Sequence, residues 1–438
     1  CWFSDTDSDW GLDDKLPAIE IAREGDKVEL RVHLFNTPTK LDRPRRVVFG
    51  LQATPVKPMP DGWRSWSFFG AHTNALEMRI LGQGQYWGAA NAYNDVYPRK
   101  KDFTIFEKFA QSRKTGVVDT AFLNDWLKGY DDQSRTNEYR GDVTYGLNQC
   151  IPGPKIIPYT NARGGVSGEE GKYFAAEYFN SEPVPSYQDC ALFYFKKMMD
   201  TGIDGIYYDN TYLTANSDTI AGDAYVRADG NVQPSVGLWN MREFIKRTAV
   251  MYHEAGKKPL TVVHMTNGNI IPALAFATIA LDWEDKYGVT DCQDKFSTDF
   301  LLTESTGLQA GLMPIVIGGV IGEEGPEYER VSRTHFGVAI VHEIMIWRAY
   351  ISGAIGKCYK VMHEFGYGLD DCKVWRFWDP DQPVKIEGVN AKAIVFARGG
   401  KAMVIATDFG EGGELRLQVD SKTLGLQPDF QASDAENG

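Results

Sequence analysis

The feature that most constrains the fold is a long region, from Trp63 to about Gly368, in which short apolar stretches alternate with amphipathic helical ones. This alternation is typical of βα units, whose strands form a parallel sheet. Polar residues collect where the apolar stretches end. We therefore predict an α/β fold with a (β/α)8 TIM-type barrel, in which catalytic groups lie at the carboxyl ends of the strands. An open doubly wound sheet is the alternative, but no G-x-G-x-x-G follows the first predicted strand.

The chain has 438 residues, more than one simple core accommodates, since cores stop growing near ~250–300 residues. We predict three domains. Residues 1–60 form the C-terminal part of a β-sandwich, because apolar residues alternate around a turn at Glu24-Gly25-Asp26. Residues 61–370 form the barrel. Residues 371–438 form a small C-terminal β-sandwich-like domain, in which a Gly-Gly turn joins two strands.

The barrel region divides into predicted elements by the period of its apolar residues. The predicted strands are residues 84–91, 155–164, 203–208, 259–268, 273–288 and 312–320, and the predicted helices are residues 102–116, 186–202, 236–258, 298–311 and 332–354.

The overall charge excludes some classes of partner. The formal net charge is −13, which argues against nucleic acid and anionic membrane surfaces, since both attract basic proteins. The apolar run Leu312–Gly322 is too short to span a bilayer. Aromatic residues make up 13% of the chain, which hints at a carbohydrate partner, although aromatic side chains also fill cores.

The sequence shows no strong pattern for metal binding or for disulfide pairing. The six cysteines lack metal-finger spacing; Cys358 and Cys372 either pair in an exported protein or stay free. His335 and His342 lie seven residues apart without an H-E-x-x-H motif, and the acidic segment Asp5–Asp9 lacks the Gly and Glu of a calcium loop. We expect no metal and no cofactor, and an acidic turn near residue 7.

Three carboxylates are the catalytic candidates. Asp209 directly follows an apolar strand, and Glu284 and Asp282 follow another. Glycoside hydrolysis needs two carboxyl groups facing one anomeric carbon, and two strand ends can supply them. In an extended strand Asp282 and Glu284 share a face and Asp285 faces away. The alternatives are a turn pair at Asp209-Asn210 and a solvated acidic turn at residues 282–285.

Polar and aromatic residues near the predicted strand ends are the substrate-binding candidates. Two of them have a plain structural alternative: His264 as a structural histidine and Asn267 as a turn residue. Arg163 would suit a uronate or sulfate group. The candidates are Asn210, Tyr208, His264, Asn267, Arg163, Trp283, Trp87 and Trp66.

Four stretches carry a resemblance to a known family: "CWFSDTDSDW", "VVFGLQATPVKP", "GIYYDNTYL" and "LQVDSKTLGL". With them the chain resembles bacterial glycoside hydrolase domain proteins related to glycoside hydrolase family 123, from Cys1 to about Leu426. The resemblance implies a β-sandwich, a catalytic (β/α)8 barrel and a C-terminal β domain. It also implies an exported enzyme that degrades polysaccharides.

One residue departs from the family pattern. Family 123 enzymes use an adjacent Asp-Glu pair, in which the Asp orients the substrate's acetamido group and the Glu is the acid. The Asp matches Asp209, but the next residue is Asn210, which cannot donate a catalytic proton. The resemblance therefore implies that the acid lies elsewhere, with Glu284 the first choice and Asp282 the second, or that the mechanism is not acetamido-assisted.

Together these observations predict a glycosidase with a two-carboxylate mechanism that acts on a complex polysaccharide or glycan. The alternatives are a non-catalytic glycan-binding protein on a degenerate barrel and an acetamido-assisted hexosaminidase. We expect a secreted, periplasmic or cell-surface protein, and we interpret the sequence as a fragment without its signal. Sequence determines neither the sugar nor the oligomeric state.

Overall fold

The structure, a computed structural model, describes thirteen ranges of the chain. They are residues 1–67, 76–77, 156–159, 174–177, 183–200, 206–208, 213, 219–220, 223–264, 270–285, 290–318, 325–346 and 353–437.

Residues 1–60 contain two antiparallel strand pairs. Strand β1 (Trp2–Phe3) pairs with β4 (Gly50–Leu51), and β2 (Ile19–Glu24) pairs with β3 (Lys27–Val32). The second pair confirms the predicted hairpin, with Gly25 in the turn at φ 61°. A sandwich needs two packed sheets, so this part of the domain prediction stays a prediction.

Four short strands precede the main α/β unit. Strand β5 (Trp66–Ser67) pairs in parallel with β6 (Leu76–Glu77). Strand β7 (Ile156–Tyr159) lies within the predicted strand 155–164, but it pairs antiparallel with β8 (Phe174–Glu177). Among the described residues, β7 is therefore not part of the parallel sheet.

The main unit alternates helices and strands as the sequence predicts. In chain order its elements are α1 (Pro185–Asp200), β9 (Ile206–Tyr208), β10 (Tyr225–Val226), β11 (Val232–Gln233), α2 (Leu238–Glu254), β12 (Thr261–His264), α3 (Ile271–Leu274), β13 (Ile279–Asp285), α4 (Cys292–Lys295), α5 (Thr298–Phe300), a π-helix (Leu301–Ser305), β14 (Met313–Gly318), α6 (Pro326–Val341), β15 (Met345–Ile346) and α7 (Gly353–Phe365).

Five of these strands form one parallel sheet in the order β15-β14-β13-β12-β9. Both faces of the sheet are buried, as parallel sheets require: Ile279 and Leu281 fill one face, and Ala280 and Val316 the other. The five strands lie in the sheet in their order along the chain, with the separate β10–β11 pair between β9 and β12 in sequence; barrels also have strands in chain order. Closure into a barrel would need strands from outside the described ranges and stays a prediction.

Two predicted helices are wrong in their second halves; in the one predicted over residues 298–311, helical structure ends at Ser305. We expected a helix over residues 332–354, but α6 begins at Pro326 and ends at Val341. Glu343 then adopts a left-handed backbone conformation at φ 58°, which ends the helix, and β15 follows it. The apolar residues that suggested a longer helix therefore belong to a buried edge of the sheet.

The segment after the N-terminal strands lies along the amino-terminal edge of the sheet. The Val56 N–H donates to Gln309 O at 2.8 Å, and Lys57 Nζ donates to Ala275 O and Ala310 O at 3.0 and 2.9 Å. A few residues on, Arg64 forms an ion pair with Glu343. This edge is opposite to the one where catalytic groups are expected.

The C-terminal part is all-β apart from one short helix. It consists of β16 (Lys373–Trp375), β17 (Val384–Glu387), β18 (Ala391–Arg398), β19 (Lys401–Asp408), β20 (Arg416–Val419) and α8 (Ser421–Leu424). The Gly399-Gly400 turn joins β18 to β19 at φ 57° and 74°, as predicted. Strand β19 packs on α6, where Gly337 leaves room for Thr407.

Candidate active site

A β-bulge near the end of β13 decides which way its acidic residues point. Leu281 pairs with Ile315 and Glu284 pairs with Ile317, so three steps along β13 match two steps along β14. Side chains alternate between faces along a regular strand, which puts Ile315 and Ile317 on one face. Leu281 and Glu284 therefore share that face, and Asp285, which pairs with Gly318, lies on the other.

The face of Asp285 is the one that the following helices cover. A side chain at Gly318 would point at the His335 ring of α6, whose Cδ2 lies 3.0 Å from the Cβ position. Asp285 itself contacts that ring: its Oδ2 lies 2.9 Å from His335 Nε2. Glu284 consequently lies on the sheet face that looks away from α6.

Asp282 and Trp283 occupy the bulge, and both contact the π-helix. The Trp283 indole N–H donates to Ser305 Oγ at 3.1 Å, and Ser305 Oγ donates to Asp282 Oδ2 at 3.2 Å. Asp282 is only 3% exposed. The Trp283 ring stacks on Phe296 at a centroid distance of 4.3 Å.

Asp285 is held by two hydrogen-bonding partners, a lysine and a histidine. Lys295 Nζ donates to both carboxylate oxygens at 2.9 and 3.0 Å. His335 Nε2 faces the same carboxylate, and its Nδ1 faces Val331 O at 2.9 Å; the ring donates to both acceptors only as an imidazolium. Burial raises the pKa of Asp285, but the hydrogen bonds from His335 and Lys295 outweigh burial and hold the pKa below its ordinary value.

These contacts correct one expectation. Asp282 and Glu284 were expected to share a face, with Asp285 turned away, but the bulge places Asp282 and Asp285 on the helix side and Glu284 on the opposite side. Glu284 is partly exposed, at the carboxyl end of a parallel strand. Of these three carboxylates it is the one suited to face a substrate.

Tyr208 lies in the core. It is fully buried at the end of β9, its hydroxyl shares a hydrogen bond with Thr248 of α2, and its ring meets Phe195 and Phe244 edge to face. This environment is that of a packing residue rather than of a wall exposed to sugar. The hydroxyl has found the partner that a buried tyrosine needs.

The remaining predicted site residues are described only in part or not at all. His264 ends β12, where its backbone pairs with Leu281, and Trp66 lies in β5. The others fall outside the described ranges: Asp209, Asn210, Asn267, Arg163 and Trp87.

Sequence reasoning missed the partners of the strand end. Nothing in the sequence distinguishes Ser305 and Lys295 from other serines and lysines. His335 stands out in the sequence only together with His342, as two histidines on one helix face that could bind a metal. In the structure His342 is buried separately, donates from Nδ1 to Val338 O at 2.7 Å, and has its pKa lowered to about 4 by burial. The spacing of the pair therefore has no bearing on a metal.

Other negative findings concern the described residues alone. They contain no group of three or more His, Cys, Asp or Glu side chains placed to hold a metal ion. No helix in the same ranges is long and apolar enough to cross a bilayer. Cys358 and Cys372 are free thiols.

Each aspartate of the N-terminal acidic turn has a protein partner: Asp5 accepts from the Trp239 backbone N–H, Asp7 from the Tyr225 hydroxyl, and Asp9 from Arg43.

Comparison with known proteins returned no matching family, no matching characterised protein and no matching solved structure. Function therefore has to be inferred from the chemistry of the site itself.

Proposed function

We propose that this protein is a glycoside hydrolase in which Glu284 is the acid/base and Asp209 is the nucleophile or the orienting carboxylate. One observation carries the proposal: Glu284 lies at the carboxyl end of β13, partly exposed and on the face away from α6. In parallel α/β folds this end of the sheet is where substrates bind.

The order of the strands supports a pair of carboxylates. Asp209 directly follows β9 in the sequence, and β9 lies two places from β13 in the sheet. Two strand spacings are about 10 Å. Carboxyl groups of glycosidases face one glycosidic bond from about 5–10 Å apart. The spacing of β9 and β13 in the sheet is therefore compatible with a carboxylate pair contributed by these two strands.

The two other acidic residues of β13 have different roles in this proposal. Asp282 is buried and bonded to Ser305, and Asp285 is hydrogen-bonded to Lys295 and His335. A carboxylate whose pKa is held below its ordinary value by such hydrogen bonds is a poor proton donor. Both residues instead hold the strand end in place, so that Glu284 projects from a rigid support.

The test is a comparison of isosteric variants in release of reducing ends from a panel of glycans. We expect Glu284→Gln to lower kcat by about 10²–10⁴-fold, the usual contribution of general acid–base catalysis. Asp209→Asn should lower it by a similar factor or more. Thermal melting should be unchanged in both variants. Near-normal turnover by either variant would remove that residue from the mechanism.

Glycan binding without catalysis is the second candidate, and Asn210 is the feature that favours it, because an amide stands where the family 123 pair has its acid. Here wild type would retain a glycan on an affinity gel but release no reducing ends. Export to the periplasm or cell surface is part of the proposal in either case, since such glycans lie outside the cytoplasm.

A further inference from the structure

A second, separate site is suggested by a cleft at the junction of α6, α7 and β19. The cleft has a volume of about 630 Å³, within the range of ligand pockets. Residues of α6 and β19 line it, among them the basic Arg330 and Arg333 and the acidic Glu329, Asp408 and Glu436. None of these residues belongs to the end of β13.

The cleft already holds a carboxylate, which comes from the chain itself. Arg333 Nη1 and Nη2 donate to the two oxygens of Glu436, each at 2.8 Å. This is the bidentate geometry in which arginine recognises carboxylates, with one guanidinium N–H group on each carboxylate oxygen. Cys358 Sγ lies 3.6 Å from the same Glu436 side chain, so the carboxylate sits inside the cleft lining.

The segment that carries Glu436 is weakly held. Every residue from Gln427 to Asn437 is exposed, and Asp434 accepts from the Glu436 and Asn437 N–H groups, which shapes the turn that presents Glu436. The Arg333 and Glu436 side chains are 38% and 30% exposed. Ion pairs with this exposure contribute about 0–1 kcal/mol, so another carboxylate can compete with Glu436.

One polar atom of the lining still lacks a partner. Gln293 Oε1 is buried and accepts no hydrogen bond from the described residues. It therefore requires an N–H or O–H donor. A peptide with an acidic side chain offers the carboxylate that Arg333 recognises, whereas the buried Gln293 oxygen has no surface open to the cleft.

We propose that this cleft is a binding site for acidic peptide segments, with Arg333 as the carboxylate receptor and the chain's own residues 427–437 as its resting occupant. The proposal does not depend on the glycosidase assignment. A tethered segment competes at an effective concentration in the millimolar range, so a partner gains access when Glu436 is withdrawn or outcompeted.

The test uses the full chain and a synthetic peptide of residues 430–437, measured by calorimetry. We expect Glu436→Gln protein to bind this peptide about two- to sixfold more tightly than wild type, the gain from losing an internal competitor worth about 0–1 kcal/mol. A peptide with Gln in place of its Glu should not bind. Arg333→Met, introduced into Glu436→Gln protein, should abolish binding, whereas Arg398→Met, which removes a surface arginine paired with Asp371 at 2.6 Å, should not.

Equal peptide affinity in wild type and Glu436→Gln protein, or no binding to either, overturns the proposal. Binding of free glucuronate without binding of the peptide overturns it too, since the site would then recognise sugar acids. If Arg333→Met fails to fold, the peptide with Gln decides the question, because it needs no change in the receptor.

Discussion

At the scale of single residues, burial and partners separate side chains of the same type. Asp282, Glu284 and Asp285 are nearly consecutive, yet the first is bonded to Ser305 inside the protein, the second is partly exposed on the sheet face away from α6, and the third is held by Lys295 and His335. In the glycosidase proposal only the second is a reacting group. Residue type alone would give these three carboxylates the same role.

Lys57 gives a prediction for the pH dependence of stability. Burial lowers the pKa of its ammonium group from 10.5 to about 8, so the folded state binds this proton less tightly than the unfolded state. Below pH 8 the free energy of unfolding should therefore be lower, by up to about 3 kcal/mol, than it would be if the Lys57 pKa were unshifted. Between pH 8 and 10.5 it should rise, because the unfolded state then holds the proton that the folded state has lost.

Urea unfolding at several pH values from 7 to 10.5 checks this prediction. The Lys57→Met variant should lose the rise in stability relative to wild type, because it has no proton to release. Lys246→Met is the matched control, since Lys246 is 42% exposed beside Glu243, and it should follow wild type. A rise that persists in Lys57→Met would mean that other groups cause it.

At the scale of elements, the bulge in β13 is the feature that orients the site. It turns Asp282 and Trp283 together toward the π-helix, where Ser305 bonds to both, and it leaves Glu284 on the other face. Bulges commonly occur next to active sites and redirect a side chain there. The Ser305 hydroxyl connects the bulge in β13 to the neighbouring π-helix through its hydrogen bonds with Asp282 and Trp283.

Removal of that hydroxyl should be costly. Ser305→Ala takes a hydrogen bond from the buried Asp282 carboxylate and another from the Trp283 indole, and we expect a loss of about 1–3 kcal/mol in the free energy of unfolding. If the glycosidase proposal holds, kcat should fall as well. Ser332→Ala is the control, because Ser332 is fully buried but its hydroxyl has no hydrogen-bond partner in the part of the chain that the structure describes, so its loss should be neutral or stabilising.

At the scale of the whole molecule, the C-terminal sheet packs directly on the helix layer of the α/β unit. The contact between α6 and β19 depends on Gly337, where a Cβ atom would lie 2.6 Å from Thr407 Oγ1 and 3.1 Å from its Cγ2. A side chain at residue 337 would push the strand away from the helix. The acidic-peptide cleft lies along the same contact.

Gly337→Ala should therefore destabilise the protein by about 1–3 kcal/mol, the usual cost of overpacking. Chemical unfolding measures this change directly. Gly353→Ala is a suitable control because none of the described residues lies within 4 Å of its Cβ position at the start of α7, and a helical alanine there should add up to about 1 kcal/mol. Equal stability of the Gly337 variant and wild type would show that the sheet adjusts freely.

Much of the element order could be read from local patterns. The β2–β3 hairpin, helices α1 and α2, strands β12 to β14 and the Gly-Gly turn lie where apolar periodicity and turn residues predicted them. The helix predicted over residues 332–354 was too long because the apolar residues of β15 also fit a helical period. A short buried strand and a buried helix look alike in sequence.

What the sequence determined by itself is therefore the set of local elements and the acidic cluster at the end of β13, since periodicity and turn chemistry depend on neighbouring residues. Tertiary structure alone decided that Glu284 faces away from the helices, that Asp285 meets His335, and that Glu436 meets Arg333. These outcomes depend on register between strands and on contacts between residues far apart in the chain. No local pattern encodes a register that two strands set only when they pair.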